Sequence, residues 1–254
     1  MNRLEEIVIE YLKQFSVIAE KIDESSEKTP DFIVNQEERV LIELKEKIDQ
    51  KEIQNRKEEK LERGEIFEYS NTMGYKNRLA GVISCGIEQL KYQKLKTDSQ
   101  YCLLFIVANG VAPTNQLEQI SSTLYGKKSV IDFDSKSSHA KTCYYAYHSE
   151  FYKQKETING AFIAVRNKVF LLINDQSPSY SQFKKSKFLS KFINQVHITD
   201  PIEEEKLGHA FIADCSIGRS NQDEVKNYVF EKYRINRGLL IDFPQIIVQS
   251  RINL

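Results

Sequence analysis

Tyr101 to Ala108 reads YCLLFIVA, an apolar run without a polar break. A membrane-spanning helix needs about 20 such residues, so this run is too short to cross a bilayer. It also lacks the alternation of a strand with one wet face, and so it predicts a central strand covered on both sides. Such cover comes from helices, and they flank it. Asn77 to Lys94 sets Leu79, Val82, Ile83, Ile87 and Leu90 on one helical stripe. Thr114 to Tyr125 reads as a helix stopped by Gly126, with a strand from Val130 to Phe133 behind it. The expectation is an α/β fold, a mixed central sheet flanked by helices.

Upstream, residues 4 to 18 carry helical periodicity, with Leu4, Val8, Tyr11, Phe15 and Ile18 on one face. Two β-rich runs follow, Thr29 to Val34 and Val40 to Lys45, separated by the polar turn Asn35 to Arg39. They predict a hairpin, with Pro30 at the strand entry where a missing N–H does least harm. Glu46 to Gly64 is dense in both charges without an apolar stripe, and reads as a solvated helix or flap. Downstream, Ala161 to Arg166 and Val169 to Ile173 suggest a second hairpin, and Ala210 to Ser216 a strand. Ser220 and Asp223 have capping-box spacing for a helix through Tyr233. There is no internal repeat and no flexible linker. Residues 1–135 therefore form a core and 136–254 a C-terminal α+β extension packed on it as one domain.

Charge narrows the function. Lys+Arg and Asp+Glu are 36 each, a net charge of zero, which argues against a generally polybasic nucleic-acid binder but is compatible with a local basic groove. The first residues, MNRLEEIVIEYL, place acids where a secretory leader needs a basic region. Cys85, Cys102, Cys143 and Cys215 are far apart and have no metal-ligand spacing. They read as reduced thiols of a cytoplasmic protein without a membrane span.

The residues that carry chemistry lie on the first hairpin. Side chains alternate along a strand, so Glu43 and Lys45 share a face while Leu44 points away. If Val34 pairs with Val40, Asp31 falls opposite Glu43 on that face, and like charges so placed are destabilising. The reverse face, Phe32, Val34, Val40, Ile42 and Leu44, is apolar and fit for burial. Two carboxylates held together beside a buried surface call for a cation. Mg²⁺ is the natural one, with Mn²⁺ as a substitute, because it accepts one or two carboxylates and a phosphate oxygen while keeping several waters. Lys45 stands where it can hold a water or stabilise negative charge.

Pro30-Asp31 followed by Glu43-Leu44-Lys45, on a hairpin between two helices, resembles the active site of the PD-(D/E)xK, or restriction-endonuclease-like, nuclease superfamily. The resemblance implies Asp31 and Glu43 as metal ligands, the Leu44 carbonyl as a third, and Lys45 as the group that orients the attacking water. Some members of the superfamily add a glutamate from the first helix. Helical phase favours Glu5 over Glu6 for that part, and the alternative is that both are first-turn acids favoured by the helix dipole. Many also carry Gln-x-x-x-Tyr on the next helix. Here Gln89 is followed by Tyr92, one residue short, so Gln89 is a supporting candidate without that signature. A fainter resemblance, to an uncharacterised bacterial PD-(D/E)xK-like family, extends through Leu124-Tyr125-Gly126 and implies a fold without naming a substrate.

Lys184, Lys185 and Lys187 interleave with Phe183 and Phe188. They either track a phosphate backbone or cap phenylalanines that belong to the core. His139, His148, His197 and His209 show neither triad nor metal spacing. The expected function is Mg²⁺-dependent phosphodiester hydrolysis, with DNA favoured as substrate, in defence or repair, and with a partner protein or a homodimer supplying affinity that the net charge does not. The competing expectations are a non-catalytic interaction protein on the same fold and an enzyme acting on a small phosphate compound.

Overall fold

The computed structural model describes residues 2–23, 29–135, 139–242 and 244–249. The chain runs α1 (Arg3–Lys13), β1 (Ala19–Lys21), β2 (Phe32–Asn35), β3 (Arg39–Lys47), α2 (Lys51–Glu62), β4 (Phe67–Thr72), α3 (Asn77–Thr97), β5 (Tyr101–Ala108), α4 (Pro113–Tyr125), β6 (Lys128–Asp132) and β7 (Lys141–Tyr144). It continues through α5 (Glu150–Lys153), β8 (Gly160–Val165), β9 (Lys168–Ile173), α6 (Tyr180–Lys184), α7 (Lys187–Ser190), β10 (His197–Thr199), α8 (Pro201–Lys206), β11 (Ala210–Ile212), α9 (Gln222–Lys232), β12 (Gly238–Ile241) and β13 (Pro244–Gln249).

A seven-stranded mixed sheet in the order β1-β2-β3-β5-β8-β9-β10 organises the molecule, with β3, β5 and β8 parallel at its centre. β5 is buried on both faces, as its unbroken apolar run predicts. Its Leu104 and Ile106 meet Leu79, Ile83 and Ile87 of α3 and Ile120 and Leu124 of α4. Its Leu103 and Phe105 meet the opposite layer, built from Val8 and Leu12 of α1 and from Phe183, Phe188 and Phe192. Residues on either side of position 135 thus share one sheet. A four-stranded sheet, β11-β7-β6-β12, lies under α9, and β4 pairs with β13 in a separate two-stranded ribbon. Among the described residues no helix is long and apolar enough to cross a membrane.

Several local expectations are corrected. The first helix ends at Lys13 instead of running to residue 18. Ser16 takes a left-handed φ of 57° and the Val17 N–H returns to the Leu12 carbonyl at 3.1 Å, which turns the chain so that β1 can pair with β2. Ile18, assigned by periodicity to the buried stripe, is 61% exposed. The last long helix is capped by Asn221, whose side chain accepts from the Glu224 N–H, and not by Ser220 with Asp223. The strand expected over Ala210 to Ser216 stops at Ile212. Helix α4 carries a signal at each end: it begins on Pro113 and is closed by Gly126, where φ is 65°. A Cβ at Gly126 would stand 2.4 Å from the Tyr147 carbonyl oxygen, so only glycine closes that helix.

Candidate active site

The hairpin register is the one that brings the acids together. Val34 pairs with Val40 and Phe32 with Ile42, and one step further sets Asp31 against Glu43. Phe32, Val34, Val40 and Ile42 are fully buried on the α1 side of the sheet, and Leu44 packs partly against them. Leu41, Glu43 and Lys45 therefore face α3. Asp31 is fixed from the next strand, where its Oδ2 accepts the Leu44 N–H at 2.7 Å. The contact seen at Leu44 is thus through its N–H.

Helix α3 meets this face at a residue without a side chain, Gly86. A Cβ at Gly86 would approach Lys45 Cε to 3.0 Å and Glu43 Cγ to 3.1 Å. Glycine costs about 1 kcal/mol in a helix interior relative to alanine, and here it permits contact between the helix and the site. Three residues on, Gln89 accepts a hydrogen bond from Lys45 Nζ at 3.0 Å and donates from Nε2 to the Thr29 carbonyl at 2.9 Å. It ties the lysine to the entry of β2. Lys45 Nζ also donates to Glu43 Oε1.

Glu43 is 1% exposed, and its Oε2 is buried without a hydrogen-bond partner. Burial pushes its carboxyl up to about 8; Lys45 opposes this, and the neighbouring Asp31 reinforces it. Two hard oxygen donors, one of them an orphaned buried atom, fit a divalent cation such as Mg²⁺. Among the described residues no cluster of three or more His, Cys, Asp or Glu side chains converges, so the protein would offer two carboxylates and a main-chain carbonyl, with water for the rest.

No protein-family model, curated protein or solved structure matches the chain. What the site does has to be read from its own atoms.

Beyond Lys45 the face continues into a cavity of about 340 Å³ between β3, the start of α2, β4 and α3. Lys47 lies two residues along the strand from Lys45 and on the same face, about 7 Å away. Val82 lies one helical turn before Gly86. Lys47, Lys76 and Arg78 form the basic part of the lining, beside Tyr69 and Val82, and face two acids, Glu46 and Asp49, the latter 3.5 Å from Lys47. Burial lowers the pKa of Lys76, whose Nζ donates to Thr72 Oγ1 at 2.6 Å. Sequence reasoning missed this basic wall because its residues come from separate elements. It also missed Gly86, although a glycine inside a good helix one turn from Gln89 is the kind of signal that marks close approach.

The remaining candidates lie elsewhere. Glu5 is buried while Glu6 is exposed, but Glu5 completes the α1 capping box by accepting from the Asn2 N–H at 2.7 Å and pairs with Lys21 at 2.7 Å. Lys21 pairs in register with Phe32 and so shares the α1 side of the sheet, away from Glu43. Phe183 and Phe188 are core residues of that same side. Lys184 is engaged by Asp200 and Glu203 at 2.8 Å each, whereas Lys185 and Lys187 are exposed. The structure does not bring the lysine cluster to the acidic pair. Tyr92 is exposed at 39%, outside the site.

Proposed function

We propose that the chain is a metal-dependent nuclease with a restriction-endonuclease-like core, hydrolysing phosphodiester bonds in nucleic acid, with DNA favoured over RNA. The observation that carries this is the partnerless buried oxygen of Glu43, set against Asp31 across the hairpin and backed by a lysine that Gln89 holds in place. Mg²⁺, or Mn²⁺ in its stead, supplies Lewis-acid polarisation and acidifies water when bound there. Asp31 and Glu43 would hold it, with the Leu44 carbonyl as the third protein oxygen. Lys45 carries three N–H donors, of which Glu43 and Gln89 take two. The third is left to orient an attacking water or to stabilise charge on a phosphate oxygen. Lys47, Lys76 and Arg78 outnumber Glu46 and Asp49 along the neighbouring cavity of a chain of zero net charge, a modest positive excess that suits a phosphate groove.

The test is cleavage of plasmid, linear and single-stranded DNA and of RNA with Mg²⁺ or Mn²⁺. Asp31→Ala and Lys45→Ala are each expected to lower the rate about 100-fold or more with folding intact. Absence of cleavage of every substrate, together with no calorimetric heat on adding either metal, would remove the proposal. A second reading, a non-catalytic interaction protein on this fold, draws on the ion pair by which Lys45 already neutralises Glu43. It expects binding of a partner protein to survive both substitutions.

A further inference from the structure

A second cavity, of about 460 Å³, opens between Tyr75, which precedes α3, residues of the 145–153 segment and the loop at 215–219. Its separation from the acidic pair follows from helix geometry. Ser84 is two residues from Gly86, about 200° round the helix, and its Oγ donates to Glu150 Oε2 at 2.9 Å. The cavity walls are aromatic. The rings of Tyr147 and His148 meet edge to face at 4.7 Å, and Tyr75 meets Tyr147 at 5.8 Å in the same manner. Tyr152 completes the lining on the α5 side.

These walls are preformed. Glu150 is 1% exposed and accepts the Tyr75 hydroxyl at 2.8 Å. Ser149 Oγ donates to the Leu124 carbonyl at 2.6 Å, and the Tyr147 main chain closes against Gly126. Tyr145 is held at a φ of 58°, a conformation that a bulky side chain adopts only when its surroundings impose it.

Around this aromatic box four cations, Arg219, Lys153, Lys128 and Lys155, stand against Glu150 in the lining and Asp214 behind Arg219. Arg219 is pinned by its two terminal nitrogens to the Ile217 and Asp214 carbonyls, which leaves part of its donor fork unused. Lys153 stands at the rim. Lys128 lies 5.3 Å over the Tyr147 ring and Lys155 4.8 Å over the Tyr152 ring. Glu150 is the one acid among the described lining residues, and Lys153 stands 3.7 Å from it. A planar ring bearing a negative group satisfies all of this, because the ring stacks on the tyrosines while the anion meets the fixed guanidinium. The volume is within the range of small-molecule sites.

We propose that this cavity binds a nucleoside phosphate, with the base stacked among Tyr75, Tyr147 and Tyr152 and the phosphate at Arg219 and Lys153. The site is separate from the acidic pair and does not depend on the nuclease assignment.

The full chain is titrated calorimetrically in EDTA with AMP, GMP, CMP, UMP and ATP, and with adenosine and inorganic phosphate as fragments. EDTA removes any bridging metal from Asp31 and Glu43. Saturable one-to-one binding of at least one nucleotide is expected, with each fragment about tenfold weaker or worse. Tyr147→Ala and Arg219→Gln are each expected to weaken it about tenfold or more, the loss of one stack or one charged contact, while Glu43→Gln binds like wild type. Should Tyr147→Ala fail to fold, Lys153→Glu, an exposed position, takes its place with the same expected loss. The proposal is overturned if no nucleotide saturates at millimolar concentration, if affinity is unchanged in the cavity variants, or if Glu43→Gln abolishes binding.

Discussion

Glu43 sits where its own charge is unwelcome. A carboxyl raised from 4.5 to about 8 leaves the folded chain at no disadvantage below pH 4.5. That stability is lost as pH rises through 8, because the unfolded chain ionises freely and the folded one does not. Without divalent metal, Glu43→Gln is expected to melt higher than wild type at pH 8.5, with the gap closing towards pH 5, as read by thermal denaturation across pH. Mg²⁺ should act in the opposite sense. At 100 times its dissociation constant it adds about 2.7 kcal/mol of stability, seen as a raised Tm in wild type and absent in Asp31→Asn. Gly86→Val would drive two methyl groups towards Lys45 and Glu43, at a cost of about 1–3 kcal/mol and, on the proposed nuclease reading, most of the cleavage rate. Asp31, Glu43 and Lys45 were legible in the sequence because a period of two and one turn fix them relative to each other. Gly86 and the basic wall were not, since no local pattern says which helix face will lie over which strand.

At the scale of elements, legibility followed how much burial each one had to encode. β5 lies at the limits its apolar run predicts, and α4 carries its own start and stop in Pro113 and Gly126. β1, three residues long, and β4, with the sequence FEYSNT, carry no such signature, and both exist through partners that local sequence does not name. The charged segment became α2, anchored by Leu61 against Phe67 and Val111. The end of α4 is also where stability is exposed to a single methyl group. Gly126→Ala places that methyl against the main chain at Tyr147 in a left-handed conformation. A loss on the order of 2 kcal/mol or more is expected by urea denaturation.

For the whole molecule, zero net charge makes the distribution of charge matter more than its sum. On the proposed nuclease reading, Arg78→Ala is expected to weaken DNA binding and to reduce the slope of log affinity against log salt by about one, and Lys47→Ala by less, since Asp49 stands 3.5 Å from that ammonium. Lys184→Ala should leave both unchanged, since Asp200 and Glu203 already hold that charge on the opposite side of the sheet. Measuring binding across a salt series separates the two.

The ribbon of β4 and β13 has a consequence for the order of assembly. Tyr69, in the wall of the basic cavity, belongs to a strand whose partner for that residue is Ile247. Closing so long a loop is slow, and a chain leaving the ribosome exposes β4 long before β13 arrives. In pulse-labelled hydrogen exchange the β4 amides should gain protection after those of β5. A nascent chain would then carry its acidic pair well before the wall beside it is finished, so that the proposed groove is complete only once β13 has emerged and paired.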